Sequence, residues 1–439
     1  MADLDPLAIT GIMFASMLVL IVMGAPLGWA LMISGMGSAY LLYGGGGLDL
    51  LLASVYGSMD NFLLVALPMF IFMGLVLERS GITDDLFEMF YKLMGGVPGG
   101  LGVGTVLICA IIAAMAGVSG AATVSLGIIA LPSMLKRGYD KRLVTGTIMA
   151  GGALGFLIPP SVLMIIYAFL ARESVGKLFA AGVMPGLMLA GIYILYNLIR
   201  CRIDPSMGPP APPEERASAR EKLASLRFLV APALLVTTVL GCIVGGITSP
   251  SEASAIGAAG AMLLAGLRRR LDWPTLRYAL MNTTKIIGML IWITIAAVFF
   301  SKIYLGLGAG AIVSDLIDDF QLSGMAVIVI MLATFFILGM FLDDFAILFI
   351  TVPLFLPIVR DLGYDPVWFA ILFVLSMQTA YLTPPFGYNL FYMRSVAPRE
   401  VSIYDIYWAA LPFVLLQIVG LALVVMFPQI ALWLPEKLF

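Results

Sequence analysis

The chain has 439 residues, of which 62% are hydrophobic and only 11% charged, with a formal net charge of −2. An apolar share this far above the roughly 45–50% of soluble domains excludes a water-soluble globular protein. The small net charge says nothing about partners; no nucleic-acid partner is expected. Histidine is absent, and three scattered cysteines (Cys109, Cys201, Cys242) form neither a disulfide framework nor a metal cluster.

The N-terminus, MADLDPLAIT, lacks a basic n-region, so residues 7–23 read as a retained span rather than a cleaved signal. Further crossings of the lipid bilayer are expected at 25–43, 61–80, 143–171, 176–199, 227–246, 251–267, 284–303, 366–393 and 405–430. The polar linker 200–227 carries Arg200, Arg202, Arg216, Arg220, Lys222 and Arg227, which places it in the cytoplasm by the positive-inside rule. Arg268, Arg269, Arg270 and Arg277 lie two crossings later, again inside. Counting back puts KRGYDKR (136–142) inside; counting forward puts RDLGYD (360–365) outside. One mildly basic segment, Arg172 to Lys177, falls on the outer side against the rule. Ser249, Pro250 and Glu252 have the spacing of a helix N-cap with a capping box. Trp273, Trp368, Trp408 and Trp433 read as interface anchors.

Two apolar segments need separate treatment. Residues 324–342 and 345–359 flank Asp343-Asp344, and arms of this length reach about 22–28 Å, marginal for two full spans. A re-entrant hairpin over 324–359, with Leu342-Asp343-Asp344 at its tip, fits better. The run 99–136 centres on GVSGAAT (117–123), whose small residues permit a tight turn at depth. A repeat joins the two. Gly138-Tyr139-Asp140 recurs 225 residues on as Gly363-Tyr364-Asp365, Pro159-Pro160 as Pro384-Pro385, and Pro132 as Pro357. The first Gly-Tyr-Asp lies inside and the second outside, so the halves are inverted, as in secondary transporters. The expected fold is an all-α polytopic membrane protein with two re-entrant hairpins and two broken helices. Its parts are N-terminal scaffold helices (1–60), a first repeat (61–199; hairpin 99–136, broken helix 143–171), the linker (200–227), further scaffold (228–283) and a second repeat (284–439; hairpin 324–359, broken helix 366–393).

Irregular backbone at membrane depth is tolerated only when buried in protein or facing a water-filled cavity. Placing tip 119–123 against break 151–161, and tip 342–345 against break 378–389, gives two pseudo-symmetric sites where carbonyls, hydroxyls and helix ends converge. Such oxygen-rich cages suit Na⁺, and helix N-termini suit a carboxylate. Asp343 and Asp344 are costly at that depth, which makes them functional candidates. Gln378, Thr379, Thr383, Tyr388 and Asn389 are too many polar groups in one span for packing alone. Ser119 and Thr123 are either ligands or hydroxyls bonded back to helix carbonyls. Rival readings fall away. GVSG (117–120) matches an intramembrane serine-protease signature, but that dyad needs the histidine this chain lacks. An aspartyl protease needs GxGD, which is missing. A channel seldom requires two twinned broken-helix sites.

The stretches GGALGFLIPPSVLMIIYAFLARESVGKLFAAGVMPGLMLAG (151–191) and LDDFAILFITVPLFLPIVRDLGYDPVWFAILFVLSMQTAYLTPPFGYNLFYMRSVAP (342–398) resemble the large membrane subunit of TRAP transporters over essentially the whole chain. LDDF and QTAYLTPPFGYNLFY are most similar to the mannitol/chloroaromatic branch, which includes 2-oxo acid systems. The resemblance implies sodium-driven, elevator-type uptake of an organic acid delivered by a periplasmic solute-binding protein, beside a separate small four-helix membrane subunit, in the bacterial inner membrane. A stand-alone Na⁺/carboxylate symporter is the alternative. The implied Na⁺ sites are Ser119, Gly120, Thr123, Gly151, Gly152 and Gly155 in the first half. In the second they are Asp343, Asp344, Gln378, Thr379, Thr383 and Pro384. Substrate contacts are expected from Ser119, Pro159, Ser161, Thr383, Tyr388 and Asn389. No catalytic residue is implied.

Overall fold

The computed structural model describes residues 6–117, 119–306 and 322–439. Val118 of the first tip and 307–321 of the second repeat lie outside the described residues. All described elements are helical. The first half comprises α1 (Pro6–Val22), α2 (Leu27–Tyr43), α3 (Gly47–Met59), α4 (Ala66–Glu78), α5 (Ile82–Met94), α6 (Gly100–Ala116), α7 (Ser119–Lys136), α8 (Lys141–Ala153), α9 (Val162–Ala171) and α10 (Val175–Ile203). The short α11 (Ala219–Ser225) lies in the linker. The second half comprises α12 (Arg227–Val244), α13 (Pro250–Leu267), α14 (Trp273–Gly306), α15 (Gly324–Gly339), α16 (Asp344–Asp361), α17 (Pro366–Tyr381), α18 (Tyr388–Val396), α19 (Ile403–Met426) and α20 (Gln429–Leu438).

The repeat read from three landmarks extends to the helices themselves. Adding 225 to the start of α7 or α8 gives the first residue of α16 or α17. The recurring Gly-Tyr-Asp turn has a physical reason in each of its residues. Gly138 and Gly363 take left-handed φ angles of 79° and 77° just past the ends of α7 and α16. Asp140 accepts hydrogen bonds from the amides of Arg142 and Leu143, and Asp365 from those of Val367 and Trp368, capping the next helix. Tyr139 Oη accepts from the Leu101 amide, and Tyr364 packs on Gly324, so each tyrosine closes the mouth of its own hairpin. Both Pro-Pro bonds, Pro159-Pro160 and Pro384-Pro385, are cis.

Residues 99–136 hold α6 and α7, and 324–359 hold α15 and α16. Residues 143–171 divide into α8 and α9, and 366–393 into α17 and α18. Four expectations change. Helices α3 and α5, of 13 residues each, fall outside the expected crossings; α3 and α4 are joined by a 55° bend. Helix α14 starts at Trp273 rather than 284, because Asp272 caps the Thr275 amide and the polar run that follows still favours helix. The last crossing ends at Met426, before a separate α20. Trp368 is no interface anchor: it is 2% exposed, and its indole N–H donates to Val424 O of α19. Trp273, Trp408 and Trp433 are exposed. The Ser249–Glu252 capping box forms as expected.

Scaffold pairs repeat as well. Gly28 and Gly35 bring α2 onto Trp292 and Phe299 of α14, and Gly257 brings α13 onto Met73 of α4; small residues allow close approach where lipid supplies no hydrophobic drive. The linker is strapped down rather than free. Gly99 N donates to Gly208 O, Asp140 N to Met207 O and Ala211 N to Gly95 O, all at the base of the first hairpin. Near the same face, Asp405 of α19 accepts from Lys141 Nζ (2.7 Å) and Arg142 Nε (3.3 Å) and completes a capping box with Ser402. Its two cations are half exposed, so the pairs add little and the cap dominates. Asp405→Ala is expected to cost about 1–2 kcal/mol, read as a lower unfolding temperature in detergent, whereas Lys141→Ala costs less than about 1 kcal/mol.

Candidate functional site

Each tip packs on its own break. Gly117 O accepts the Val162 amide at 3.2 Å, and a Cβ on Gly117 would press on Pro160 O. Gly152 faces Thr123 directly: a Cβ there would lie 3.0 Å from the Thr123 amide nitrogen and closer still to its hydroxyl. Gly151 points instead at Cys109 of α6. The carbonyls of Gly151 and Gly152 accept the Leu154 amide as α8 gives way to a short 3₁₀ turn containing the buried Gly155. In the second half Tyr381 Oη donates to Asp344 Oδ1 at 2.6 Å and reaches Asp343 Oδ1 at 3.2 Å. The hydroxyls of Thr379 and Thr383 bond back to Leu375 O and Thr379 O, and Pro384 is half-buried beside them.

The two halves also meet. Gln378 Nε2 donates to Ala153 O at 2.8 Å. These residues are 225 apart, so each touches its own counterpart, which places the contact on the pseudo-twofold axis. Asn389 Nδ2 donates to Met149 O at 3.1 Å, and Gly120 lies under the ring of Tyr392. Four oxygens at these tips and breaks are buried without any hydrogen-bond partner: Thr123 Oγ1, Asp344 Oδ2, Gln378 Oε1 and Asn389 Oδ1. Leaving such a group unpaired costs about 1–3 kcal/mol; eight further side-chain atoms elsewhere in the described residues, including both amide atoms of Gln417, are also buried without a partner.

Both tips open into one cavity of about 520 Å³. Ser119 and Gly120 enter it from the first tip and Asp343 and Asp344 from the second, so the N-termini of α7 and α16 converge there. Phe156, Tyr381, Tyr388 and Tyr392 form one wall, and Trp29 of α2 with Trp292 of α14 form the other. Tyr381 stacks on Tyr388 at 5.1 Å and meets Phe156 edge-on at 4.7 Å; the two tryptophan rings lie 4.8 Å apart. No arginine or lysine is among the described lining residues.

Of the residues expected to meet substrate, Ser119 and Tyr388 line this cavity. Pro159 instead faces a separate space beside Phe179, Val236 and Leu438. Ser161 is fully buried and caps α9 through the Met164 amide. Thr383 and Asn389 turn to the helix carbonyls named above. Sequence reasoning missed Phe156, Tyr381, Tyr392 and the two tryptophans. The available signal was spacing: Tyr381 follows Gln378 by three residues, on the face that carries it.

The model of the family described as "Tripartite ATP-independent periplasmic transporter, DctM component" matches residues 14–430. The chain belongs to the DctM family. It is 32% identical to the C4-dicarboxylate TRAP transporter large permease protein DctM of Pseudomonas aeruginosa, over 88% of each chain. It is 30% identical to the ectoine TRAP transporter large permease protein TeaC of Halomonas elongata, over 98% of this chain and all of that one. The fold is similar to the YdaH transporter of Alcanivorax borkumensis, with a TM-score of 0.66, 15% identity and 90% of each chain covered. This DctM-family chain is therefore a TRAP large permease, a multi-pass inner-membrane transporter and not an enzyme. Large permeases of this kind work with a small membrane subunit and a periplasmic binding protein.

The close contact of Gly152 with Thr123 gives a direct check. Gly152→Ala overpacks it and is expected to cost about 1–3 kcal/mol, read as a lower unfolding temperature. Gly191→Ala, with open space around the added carbon, leaves that temperature unchanged or raised.

Proposed function

We propose that this permease takes up an organic acid, delivered by a periplasmic solute-binding protein, against its gradient by co-transport of Na⁺. The observation that carries this reading is the set of four buried, unpartnered oxygens at the tips and breaks. They are hard donors, the type a small alkali or alkaline-earth cation takes. Ser119, Gly120 and Thr123 with Gly151, Gly152 and Gly155 would serve one ion through hydroxyls and carbonyls. Asp343, Asp344, Gln378, Thr379, Thr383 and Pro384 would serve the second, with a carboxylate in place of a hydroxyl. A sodium ion beside Asp344 offsets the cost of a carboxylate at membrane depth.

The acid occupies the cavity between the tips, where the N-termini of α7 and α16 meet its carboxylate. Similarity of LDDF and QTAYLTPPFGYNLFY to the 2-oxo acid branch supports a monocarboxylic 2-oxo or hydroxy acid as cargo. Hairpins and broken helices interlock through Gln378, Asn389 and Gly120, which supports their moving as one body against α2 and α14, in the manner of an elevator.

The test is uptake into proteoliposomes holding this chain, its small subunit and the loaded binding protein, with and without a sodium gradient. Asp344→Ala and Ser119→Ala are each expected to raise the half-saturating sodium concentration at least about tenfold, equivalent to roughly 1.4 kcal/mol of lost ion binding. Unchanged sodium titrations in both variants remove the site assignment. Uptake by this chain alone favours a stand-alone symporter.

A further inference from the structure

A second cavity, of about 460 Å³, opens between the scaffold helices α3 and α14 and the moving elements α9 and α16. Arg172, Lys302 and Arg360 line it, with Asn61, Ser58 and Ser301. Among the described residues, the one ion pair these three cations make is Arg360 to Glu173 at 2.8 Å. Arg360 Nη2 also donates to Ala171 O at 2.7 Å, which leaves the rest of its fork for another acceptor. Arg172 holds a left-handed φ of 56° past the end of α9. Arg172 and Arg360 lie on the side that the charge count assigns to the periplasm, so they break the positive-inside rule together and in one place.

The crevice and the central cavity share a seam. On α14, Met289 and Ile293 line the central cavity, and Ser301 and Leu305 line the crevice further along the same helix, on a face turned away from the first. Ile293 and Ser301 are eight residues apart, about 12 Å along the helix. On α16 one face runs from Ala346 at the cavity to Pro353, Pro357 and Arg360 at the crevice. The positive charge missing from the central cavity is found one step further out along this seam.

We propose that this outer crevice is an anion site, through which Arg172, Lys302 and Arg360 hold the carboxylate of the incoming acid before it reaches the tips. The site rests on the uptake reading for its purpose, but its affinity for anions does not. A cleft of one charge sign concentrates counter-ions by tenfold or more, and guanidinium forks match a carboxylate's two oxygens. A phosphate headgroup offers the same chemistry, so the lipid must be varied.

The experiment uses full-length chain carrying Cys242→Ala and Leu305→Cys, in phosphatidylcholine nanodiscs; the remaining native thiols, Cys109 and Cys201, are buried. Anionic sulfonatoethyl and cationic trimethylammonium-ethyl thiosulfonates compete for the new thiol. With each rate divided by that reagent's rate on 2-mercaptoethanol, the anionic reagent is expected to be favoured about tenfold, and pyruvate to slow it. Lys302→Gln with Arg172→Gln brings the two rates together; neither change touches the Arg360 bonds that hold α9. Equal rates, or rates indifferent to those substitutions, overturn the proposal. So does slowing that requires phosphatidylglycerol in the disc and ignores pyruvate, since that is a headgroup site. No sodium gradient enters the assay, so its failure leaves sodium-driven uptake standing, and loss of sodium dependence in transport leaves the anion site standing.

Discussion

Everything at the centre of this protein follows from one constraint: peptide groups freed at membrane depth must find partners inside the protein. A re-entrant tip and a broken helix each free such groups, and this chain sets them against each other. The Val162 amide goes to Gly117 O across the first tip–break contact, and Ala153 O at the first break is taken by Gln378 from the second. What remains unpartnered at the tips and breaks is a carboxylate oxygen, two amide oxygens and a hydroxyl. The prolines and glycines of the breaks matter because they free the peptide groups that must be paired.

Twofold repetition supplies the frame, but the chemistry at equivalent positions has diverged. Ser119 at the start of α7 corresponds to Asp344 at the start of α16, Ala153 to Gln378, and Phe156 to Tyr381. At these three positions the first half is small or apolar where the second is polar. A twofold axis with identical halves would present two carboxylates to each other across the Gln378–Ala153 contact, and like charges at that range repel strongly. Divergence removes that conflict: one half brings hydroxyl and carbonyl, the other brings both aspartates and the tyrosine that bridges them. The fold gives the two sites equal geometry, and the sequence then gives them unequal charge.

Much of this was legible because it is local. Gly-Tyr-Asp and Pro-Pro are turn chemistry, and turn chemistry survives in sequence as fixed residues at a fixed offset. Hydropathy found the long apolar helices but passed over α3 and α5, which are only 13 residues each. Trp368 shows the limit most clearly. A tryptophan just after a loop reads as an interface anchor, yet α19 covers it and Val424 takes its N–H. That contact joins residues 56 positions apart, and no local pattern announces it. The aromatic walls were missed for the same reason: Trp29, Trp292 and Tyr381 are ordinary packing residues until tertiary structure turns them toward one space.

The absence of a basic side chain from the central cavity bears on coupling. An arginine there would bind a carboxylate unaided, and the acid would then load with or without its ion. The described walls offer only helix N-termini, hydroxyls and two carboxylates, and the carboxylates repel an anion unless a cation lies between. Acid and cation on the proposed reading therefore each lower the other's cost of entry, and by linkage the effect is equal in both directions. Fixed positive charge sits instead at the outer crevice. On the two proposals taken together, capture of the acid there would be separated along α16 from coupling at the tips, so that one stage would attract any carboxylate while the next would admit it only in ionic company.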